Sequence, residues 1–456
     1  MPRMALTGRG RGAVRPLTGA PTAGGRRGRA TRRRVPSRLG RTALPALPDV
    51  ALKGSSLPSM DATTALRRRP DAAPGPPAAG PEAGPLRRHR LGYPLFDVDV
   101  HTSFRRNSDL APYLPARYRQ RFLEAGVGDS PATFFGTAGG NREDARAPDG
   151  SPPGTNARFV AEQLLDPYDI EYAVCTGNGI LGLGTIPDGD YAAALARAHN
   201  DWTINDWLPR DPRFLGAMVV AQQDPAQAAA EIERVGAHPR IVEVVMSSGN
   251  VAPFGQRRYD PMYGAAAALG LPVAIHPGTE GRSITTPPTT AGYPARRVEW
   301  HTNLELNYIA HAVSFISEGV FEKFPALKVI LLEGGVSWVA PLLWRLDAEW
   351  KLLRQEVPHL REAPSEYFRR HIRLSSQPIE EPPRVEDLIA TWELSGADRI
   401  VLFSSDYPHW DSDDPFAAIP PRFPEDWKRR IYRDNARELF ATKLAALERA
   451  APPAAG

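Results

Sequence analysis

The chain has 456 residues, of which 42% are hydrophobic and 24% are charged, and this composition is too apolar for a wholly disordered protein. Its single cysteine, Cys175, excludes an intramolecular disulfide and a cysteine-rich zinc site, and indicates a reducing compartment such as the cytoplasm. No run of about 18 apolar residues is present, which excludes a membrane-spanning helix, and the first residues lack the apolar core of a signal peptide.

The net charge of +4 conceals an uneven distribution along the chain. Residues 1–92 contain 19 Lys and Arg but only 4 Asp and Glu, and they are rich in Ala, Pro and Gly. No apolar periodicity runs through them, so we expect a disordered leader. It is either a solvated extension, which a start site upstream of a true one such as Met60 would produce, or a segment that binds nucleic acid or another anionic surface, with the rest of the chain as inactive cargo. The lack of interleaved aromatic residues favours the solvated extension.

From Tyr93 onward, short apolar runs alternate with segments of helical length. We predict eight β-strands, at residues 95–101, 171–175, 214–221, 240–246, 272–276, 328–333, 371–375 and 399–405. The predicted helices cover residues 156–165, 190–208, 225–235, 261–269, 300–324, 338–357, 385–393 and 425–446. Two of these helices follow an Asp-Pro pair, in which Asp224 and Asp260 each offer an N-cap carboxylate before a proline at the first helical position.

Strands that alternate with helices form parallel sheets, and eight such repeats are what a (β/α)8 TIM barrel requires. We therefore predict an α/β fold in which residues 93–448 form one (β/α)8 barrel, with a disordered tail at 449–456. Two long segments follow strands directly, the first insert at 102–155 and the second insert at 277–299. Because loops after strand carboxyl ends form the catalytic face of such a barrel, we expect these inserts to be lids or pocket walls, or else surface connections without a role.

The first strand and its flank, FDVDVHTS, alternate with period two and place Asp97, Asp99 and His101 on one face. The apolar residues on the other face suit the helical layer, so the two acids and the imidazole face the barrel axis, where a cation would hold them together. Two further strands end in His276 and Asp406. Asp99, His101, His276 and Asp406 would supply two oxygen and two nitrogen ligands, a mixed set that suits one divalent metal ion such as Zn²⁺, Mn²⁺ or Fe²⁺.

Several longer motifs resemble a known family. They are FDVDVHTS, LGLPVAIHPG, ISEGVFEKFPALKVILLEGGVSWVAPLLWRLDAEW, RRHIRLSSQPIEEP, and IVLFSSDYPHWDSDDP followed by RDNARELF. In this order they are similar to the amidohydrolase-related metal-dependent enzymes, in the branch of aminocarboxymuconate semialdehyde decarboxylase, over about residues 96–442. The resemblance implies a TIM barrel with one catalytic metal on the four ligands named above. It also implies a small aromatic or unsaturated carboxylic acid, or a derivative of one, as substrate, and a homodimer.

Two positions depart from the family pattern. Asp99 stands where the family generally carries His or Glu, and Glu333 stands where its decarboxylases tend to carry a histidine after the sixth strand. Glu333 is then a general base, a partner of a metal ligand, or half of an ion pair with an arginine such as Arg345. Two reactions therefore stay open: hydrolysis, in which Asp406 takes and returns a proton, and decarboxylation, in which Asp406 delivers a proton to carbon. A barrel that has lost its metal is the third possibility.

Further residues are expected around the metal. His301 follows the second insert and is predicted to overhang the pocket as a catalytic residue beside Asp406 and Glu333. The predicted substrate-binding residues are Arg105 and Arg106, which would hold a carboxylate, and Trp410, which with Trp300 and Trp338 would supply aromatic walls or fill the core. The predicted supports of the metal ligands are Asp97 and His409.

Overall fold

The computed structural model describes residues 91–127 and 140–450. The predicted leader and tail therefore lie outside the described residues, except for positions 91, 92, 449 and 450. None of the described helices is both long enough and apolar enough to cross a membrane.

Eight parallel strands follow one another around the sheet in chain order, which confirms the predicted (β/α)8 barrel. Between the last strand and the first, the Val98 amide donates to the Phe403 carbonyl (3.0 Å) and the His101 amide donates to the Tyr407 carbonyl (2.7 Å), so that the barrel closes. The strands are β1 (Leu95–Thr102), β2 (Ile170–Gly177), β3 (Phe214–Val219), β4 (Ile241–Ser247), β5 (Val273–His276), β6 (Val329–Leu331), β7 (Ile372–Ser375) and β8 (Val401–Leu402).

Helices fill the connections and the inserts. The α-helices are α1 (Asn107–Leu110), α2 (Ala116–Ala125), α3 (Ala157–Val160), α4 (Asp166–Tyr168), α5 (Gly189–Trp202), α6 (Pro225–Val235), α7 (Asp260–Ala268), α8 (Arg297–His301), α9 (Glu305–Ser317), α10 (Val320–Lys323), α11 (Val339–Leu352), α12 (Pro364–His371), α13 (Val385–Ser395), α14 (Ala397–Ile400), α15 (Glu425–Arg429), α16 (Asn435–Leu439) and α17 (Ala441–Ala450). Single π-helical turns at Ala161–Leu165, Thr203–Trp207 and Arg430–Asp434 extend α3 and α5 and join α15 to α16.

The structure differs from the predicted helices most clearly in two places. The continuous helix predicted at 300–324 is divided into α8, α9 and α10, with Gly319 in a left-handed conformation (φ 69°) between the last two. Helix α12 is not predicted from the sequence, because the segment that forms it, PSEYFRRH, is short and mostly polar. Helix α12 nevertheless buries Tyr367 and Phe368.

The two Asp-Pro pairs behave differently. Asp224 caps α6 as predicted, with its carboxylate accepting a hydrogen bond from the Gln227 amide (3.2 Å). The N-cap predicted at Asp260 is wrong, because Tyr259 occupies that position and Asp260 is the first helical residue. The Asp260 carboxylate instead pairs with the Lys323 ammonium at 2.7 Å, so an ion pair with α10 replaces the local cap.

The first strand has the two faces that its alternation predicts. Phe96 points outward and stacks on Phe440 of the helical layer, with ring centroids 5.6 Å apart. Asp97, Asp99 and His101 point into the barrel and are buried. Carboxylates in an apolar interior require compensation, so this inward face directs attention to the carboxyl ends of the strands.

Candidate metal centre and substrate cavity

Five acidic and imidazole side chains converge at the carboxyl end of the barrel. Each offers one ligand atom, and these atoms all lie within 4.8 Å of one another. The cluster comprises Asp99 and His101 of β1, His276 at the end of β5, Glu333 after β6 and Asp406 after β8. The four predicted ligands are thus brought together, and Glu333 joins them as a fifth.

The spacing within the cluster is that of ligands around a shared ion. His276 Nε2 lies 2.6 Å from Glu333 Oε1 and 3.1 Å from His101 Nε2. His101 Nε2 lies 3.0 Å from Asp406 Oδ1. Neighbouring ligand atoms bound to one ion at about 2.1 Å stand roughly 3 Å apart, so these separations suit a single metal ion.

Hydrogen bonds on the outer side of the cluster leave its inner atoms available. His276 Nδ1 donates to the Pro277 carbonyl (2.8 Å), which leaves the Nε2 lone pair directed at the cluster. Asp99 Oδ1 accepts a hydrogen bond from the Thr176 hydroxyl. Asp99 Oδ2 is buried and has no hydrogen-bond partner in the described part of the chain. An orphaned carboxylate oxygen beside imidazole lone pairs is what a cation site requires.

The electrostatics of the cluster point in the same direction. Burial, together with the neighbouring carboxylates of Glu333 and Asp99, raises the pKa of Asp406 well above its ordinary value. Burial opposes the charge on His276, but the Glu333 carboxylate outweighs it and raises the pKa of His276 to about 9. Protons on Asp406 and His276 thus offset the negative charge of the three carboxylates. A bound divalent cation would offset the same charge directly.

Two residues of the cluster have unusual backbone conformations. Glu333 has φ 57° and Asp406 has φ 58°, in the left-handed region that favours glycine. The Glu333 amide donates to the Ser375 hydroxyl (2.7 Å), and the Asp406 amide donates to the Asp99 carbonyl (3.2 Å). These bonds to β7 and β1 hold both carboxylates in the cluster despite the strain.

The predicted supports lie behind the cluster. Asp97 Oδ1 accepts hydrogen bonds from the amides of Asp99 (3.2 Å) and Ser405 (3.0 Å), and so ties β1 to the loop after β8. His409 Nδ1 donates to Asp406 Oδ1 (2.7 Å). That loop is held in turn by the first insert, because the Trp410 amide donates to the Gly140 carbonyl (2.9 Å).

A cavity of about 410 Å³ lies above the cluster and has two unlike walls. The inner wall consists of His101, His276, Glu333 and Asp406. The outer wall consists of Arg282, Arg297, Trp300, His301 and Trp410, from the second insert, α8 and the loop after β8. The outer wall has its own imidazole–carboxylate pair, with His301 Nε2 at 3.1 Å from Asp411 Oδ2.

Two alternatives from the sequence are wrong. Glu333 does not pair with Arg345, whose guanidinium lies 3.9 Å from Glu349 on the exposed side of α11. Trp338 supplies no wall, because its indole donates to the Gly334 carbonyl (2.7 Å) and packs against Phe368.

The arginines of the cavity differ from those expected. Arg105 lines a separate cavity and lies 3.8 Å from Asp149, while Arg106 is exposed, and neither is among the described residues that line the metal cavity. The arginines that do line it, Arg282 and Arg297, were missed. Their position in the sequence could have identified them, because both belong to the second insert, which the sequence predicts as a pocket wall.

The chain is similar to several known proteins. The model of the amidohydrolase family matches residues 97–442. A gamma-resorcylate decarboxylase from a Rhizobium species is 28% identical over 316 residues, which cover 64% of this chain and 92% of the relative. All five residues of the cluster, Asp99, His101, His276, Glu333 and Asp406, lie within the range of the family match.

Solved structures of similar proteins have the same barrel. A dihydroxybenzoic acid decarboxylase from Polaromonas, with bound manganese and 2-nitroresorcinol, is 22% identical with a TM-score of 0.54, over 78% of this chain and 99% of that one. A 5-carboxyvanillate decarboxylase from Novosphingobium aromaticivorans, also with manganese, is 18% identical with a TM-score of 0.53, over 77% and 97% of the two chains. The buried cluster of this chain is suited to one metal ion, as the sequence predicts.

Proposed function

The chain belongs to the amidohydrolase family of metal-dependent enzymes, and on that premise we propose that it is a carboxy-lyase that releases CO₂ from a small aromatic acid. The observation that carries the proposal is the placement of Asp406. Its carboxyl group lies within the cluster and lines a cavity that two indole rings also line. The decarboxylase relative that spans 64% of the chain supports the same reaction.

We propose that Asp99, His101, His276 and Asp406 hold the ion, with Glu333 as a fifth ligand or as a partner of His276. Three carboxylates and two imidazoles suit Mn²⁺, Zn²⁺ or Fe²⁺. When bound, such an ion offsets the charge of the carboxylates and polarises the oxygen atoms of an acidic substrate.

Different residues of the cavity would then bind the ring, deliver the proton and orient the proton donor. Trp300 and Trp410 line the same cavity and would flank the aromatic ring of the substrate. The Asp406 carboxyl would deliver a proton to the ring carbon that bears the carboxylate. The bond from that carbon to the carboxylate breaks, its electron pair returns to the ring, and CO₂ leaves. His409, bonded to Asp406 Oδ1, orients the carboxyl group, and water restores its proton.

His301 is a second proposed catalytic residue. It lines the same cavity and is paired with Asp411, which fixes the orientation of its ring. From the outer wall it would hold a hydroxyl group of the substrate, so that negative charge can develop on that oxygen as the ring accepts the proton.

Hydrolysis of an ester or amide is the second candidate, and the position of Glu333 favours it. A carboxylate 2.6 Å from His276 can orient an attacking water, whereas it repels an anionic substrate. In that case Asp406 would take the proton from water and return it to the leaving group.

The experiment that separates the candidates uses the full chain loaded with Mn²⁺ or Zn²⁺. We expect CO₂ release from 2,6-dihydroxybenzoate or 5-carboxyvanillate. The rate should fall by about 10³-fold in Asp406→Asn and fall sharply in His276→Ala, and it should be retained in the exposed control Arg345→Ala. Metal content is measured for all four proteins. Hydrolysis of aryl esters without CO₂ release would select the second candidate, and failure to bind any metal would refute both.

We further propose that residues 93–448 are the complete catalytic unit, and that it acts in the cytoplasm on a small molecule, as a homodimer. The described residues contain the whole ligand cluster and its cavity, and the only cysteine is buried within β2. Deletion of residues 1–92 is expected to leave kcat/KM unchanged, and the full chain is expected not to retard RNA or DNA in a gel. Sedimentation would test the dimer.

A further inference from the structure

Glu380, which follows β7, is not one of the described residues that line the metal cavity, yet it contacts the loop that carries Glu333. This loop joins β6 to α11 and covers residues 332–338. The half-buried Glu380 carboxylate accepts hydrogen bonds from the Val336 amide (3.1 Å), the Ser337 amide (2.9 Å) and the Ser337 hydroxyl (2.8 Å). One side chain after β7 therefore satisfies three donors of the loop after β6.

The two glycines that follow Glu333 are in close contact with neighbouring side chains. A Cβ at Gly334 would lie 2.4 Å from the Tyr308 ring, and a Cβ at Gly335, which has φ 67°, would lie 2.7 Å from Glu380 Oε1. Contacts this close exclude a side chain at either position. The backbone of the loop thus packs directly against Tyr308 and Glu380.

Glu333 needs support on both sides, because its left-handed conformation (φ 57°) persists only where the surroundings hold it. On its amino-terminal side, the Tyr308 hydroxyl donates to the Leu332 carbonyl, and the Glu333 amide donates to the Ser375 hydroxyl (2.7 Å). On its carboxyl-terminal side, the hydrogen bonds to Glu380 hold the loop. Loss of the Glu380 carboxylate would release that second side.

The loop after β7 is anchored in turn to the loop after β8. The Gln377 amide donates to the Ser404 hydroxyl (3.1 Å), and Gln377 Nε2 donates to the Asp411 carbonyl (3.0 Å). The loop after β7 therefore connects the segments that carry Glu333 and Asp406, two members of the cluster.

We propose that Glu380 is a positioning residue of the metal centre. Its carboxylate holds the loop after β6, so that Glu333 Oε1 stays 2.6 Å from His276 Nε2 and within the cluster. This inference rests on the proposed function for the ion that the cluster binds. Val336 and Ser337 immediately precede α11, where negative charge also stabilises the start of the helix. Stabilisation of α11 alone is the competing role that the test must exclude.

The test is a double-mutant cycle on Mn²⁺ binding by the full chain, with free Mn²⁺ followed by electron paramagnetic resonance. We expect Glu380→Ala to weaken Mn²⁺ binding by about tenfold, because its loss frees the loop that supports a metal ligand. In a Glu333→Gln background the same change should weaken binding by less than about twofold, because the side chain that Glu380 positions is already altered. Glu381→Gln, at the exposed neighbouring position, is the matched control and should leave the Mn²⁺ affinity unchanged.

Glu380→Gln separates hydrogen bonding from charge. Both amides donate to Glu380 Oε1, so a glutamine oxygen in the same place can accept both bonds. We expect its Mn²⁺ affinity to stay within about threefold of the wild type. Glu380→Asp keeps the charge, but its carboxylate is one methylene short of the amides. This variant repeats the cycle if Glu380→Ala does not fold.

An equal loss of Mn²⁺ affinity from Glu380→Ala in both backgrounds would assign Glu380 to the stability of α11 and overturn the inference. No loss in either background would overturn it as well, as would a loss in Glu380→Gln as large as that in Glu380→Ala. A wild type that binds no Mn²⁺ would contradict the inference together with the metal centre.

CO₂ release from 2,6-dihydroxybenzoate is measured in parallel. If the cycle gives the expected result while the wild type releases no CO₂, the proposed reaction fails and the positioning role of Glu380 stands. If the wild type releases CO₂ and Glu380→Ala keeps both its Mn²⁺ affinity and its kcat, the reaction stands and the inference fails.

Discussion

The inner and outer walls of the cavity are built in different ways. The inner wall consists of side chains at or just beyond strand ends, and the Asp406 side chain is only 3% exposed. The outer wall comes from an insert, a short helix and a loop, and Trp410 is 50% exposed. In the proposed function, the barrel would determine which bond is attacked, and the segments added to it would determine which molecule is admitted.

The largest effect is expected from Asp406→Asn, which alters the inner wall. This change removes one ligand oxygen charge and the proposed proton donor while keeping the shape of the side chain. We expect CO₂ release to fall by about 10³-fold and metal content to fall with it. Near-wild-type turnover in this variant would remove Asp406 from the mechanism.

His409→Asn affects the inner wall indirectly. The variant loses the hydrogen bond to Asp406 Oδ1. We expect a decrease of about 10- to 100-fold in kcat or in metal affinity, which is the usual effect of losing the partner of a ligand. Metal titration beside steady-state kinetics separates the two effects, and a change confined to KM would contradict this role.

Trp410→Ala tests the outer wall. The indole lies 6.0 Å from the His301 ring and lines the cavity mouth. We expect KM to rise by about five- to tenfold with kcat little changed, because an aromatic contact contributes to binding and not to proton transfer. Metal content should match the wild type. Loss of metal in this variant would show that the two walls are not independent.

The smallest effect is expected from Glu243, which lies in β4 inside the barrel. It is buried, and neither carboxylate oxygen has a hydrogen-bond partner within the described residues, so burial raises its pKa well above 4.5. Above pH 4.5 the unfolded chain releases this proton while the folded chain retains it, so the free energy of unfolding falls as pH rises. Glu243→Gln should raise the Tm by a few degrees at pH 8, and thermal melts should show the difference vanish towards pH 4.5.

The sequence predicted the inner wall well because it depends on strand geometry. The period-two pattern of β1 placed Asp99 and His101 inward, and the apolar runs before His276 and Asp406 ended at the same edge of the barrel. The position of the Glu333 side chain is harder to predict, because it depends on a left-handed backbone conformation that no local sequence pattern indicates.

The sequence predicts which segment forms part of the outer wall, but not which of its residues face the cavity. The second insert was expected to border the pocket, but which of its arginines faces inward depends on the turn around Thr279 and Thr285. Proximity in sequence to Asp99 and His101 favours Arg105 and Arg106 instead. In the structure Arg105 lines a different cavity beside Asp149, and Arg106 is exposed just before α1.

The left-handed conformations of Glu333 and Asp406 set a limit on how this protein can evolve. A non-glycine residue in that conformation costs about 1 kcal/mol, and glycine or asparagine adopts it more easily. Selection for heat resistance alone should therefore favour replacement of these two acids. A lineage freed from its catalytic task would drift towards a more stable, silent barrel, so the persistence of both acids in a natural variant would be a sign of continued use.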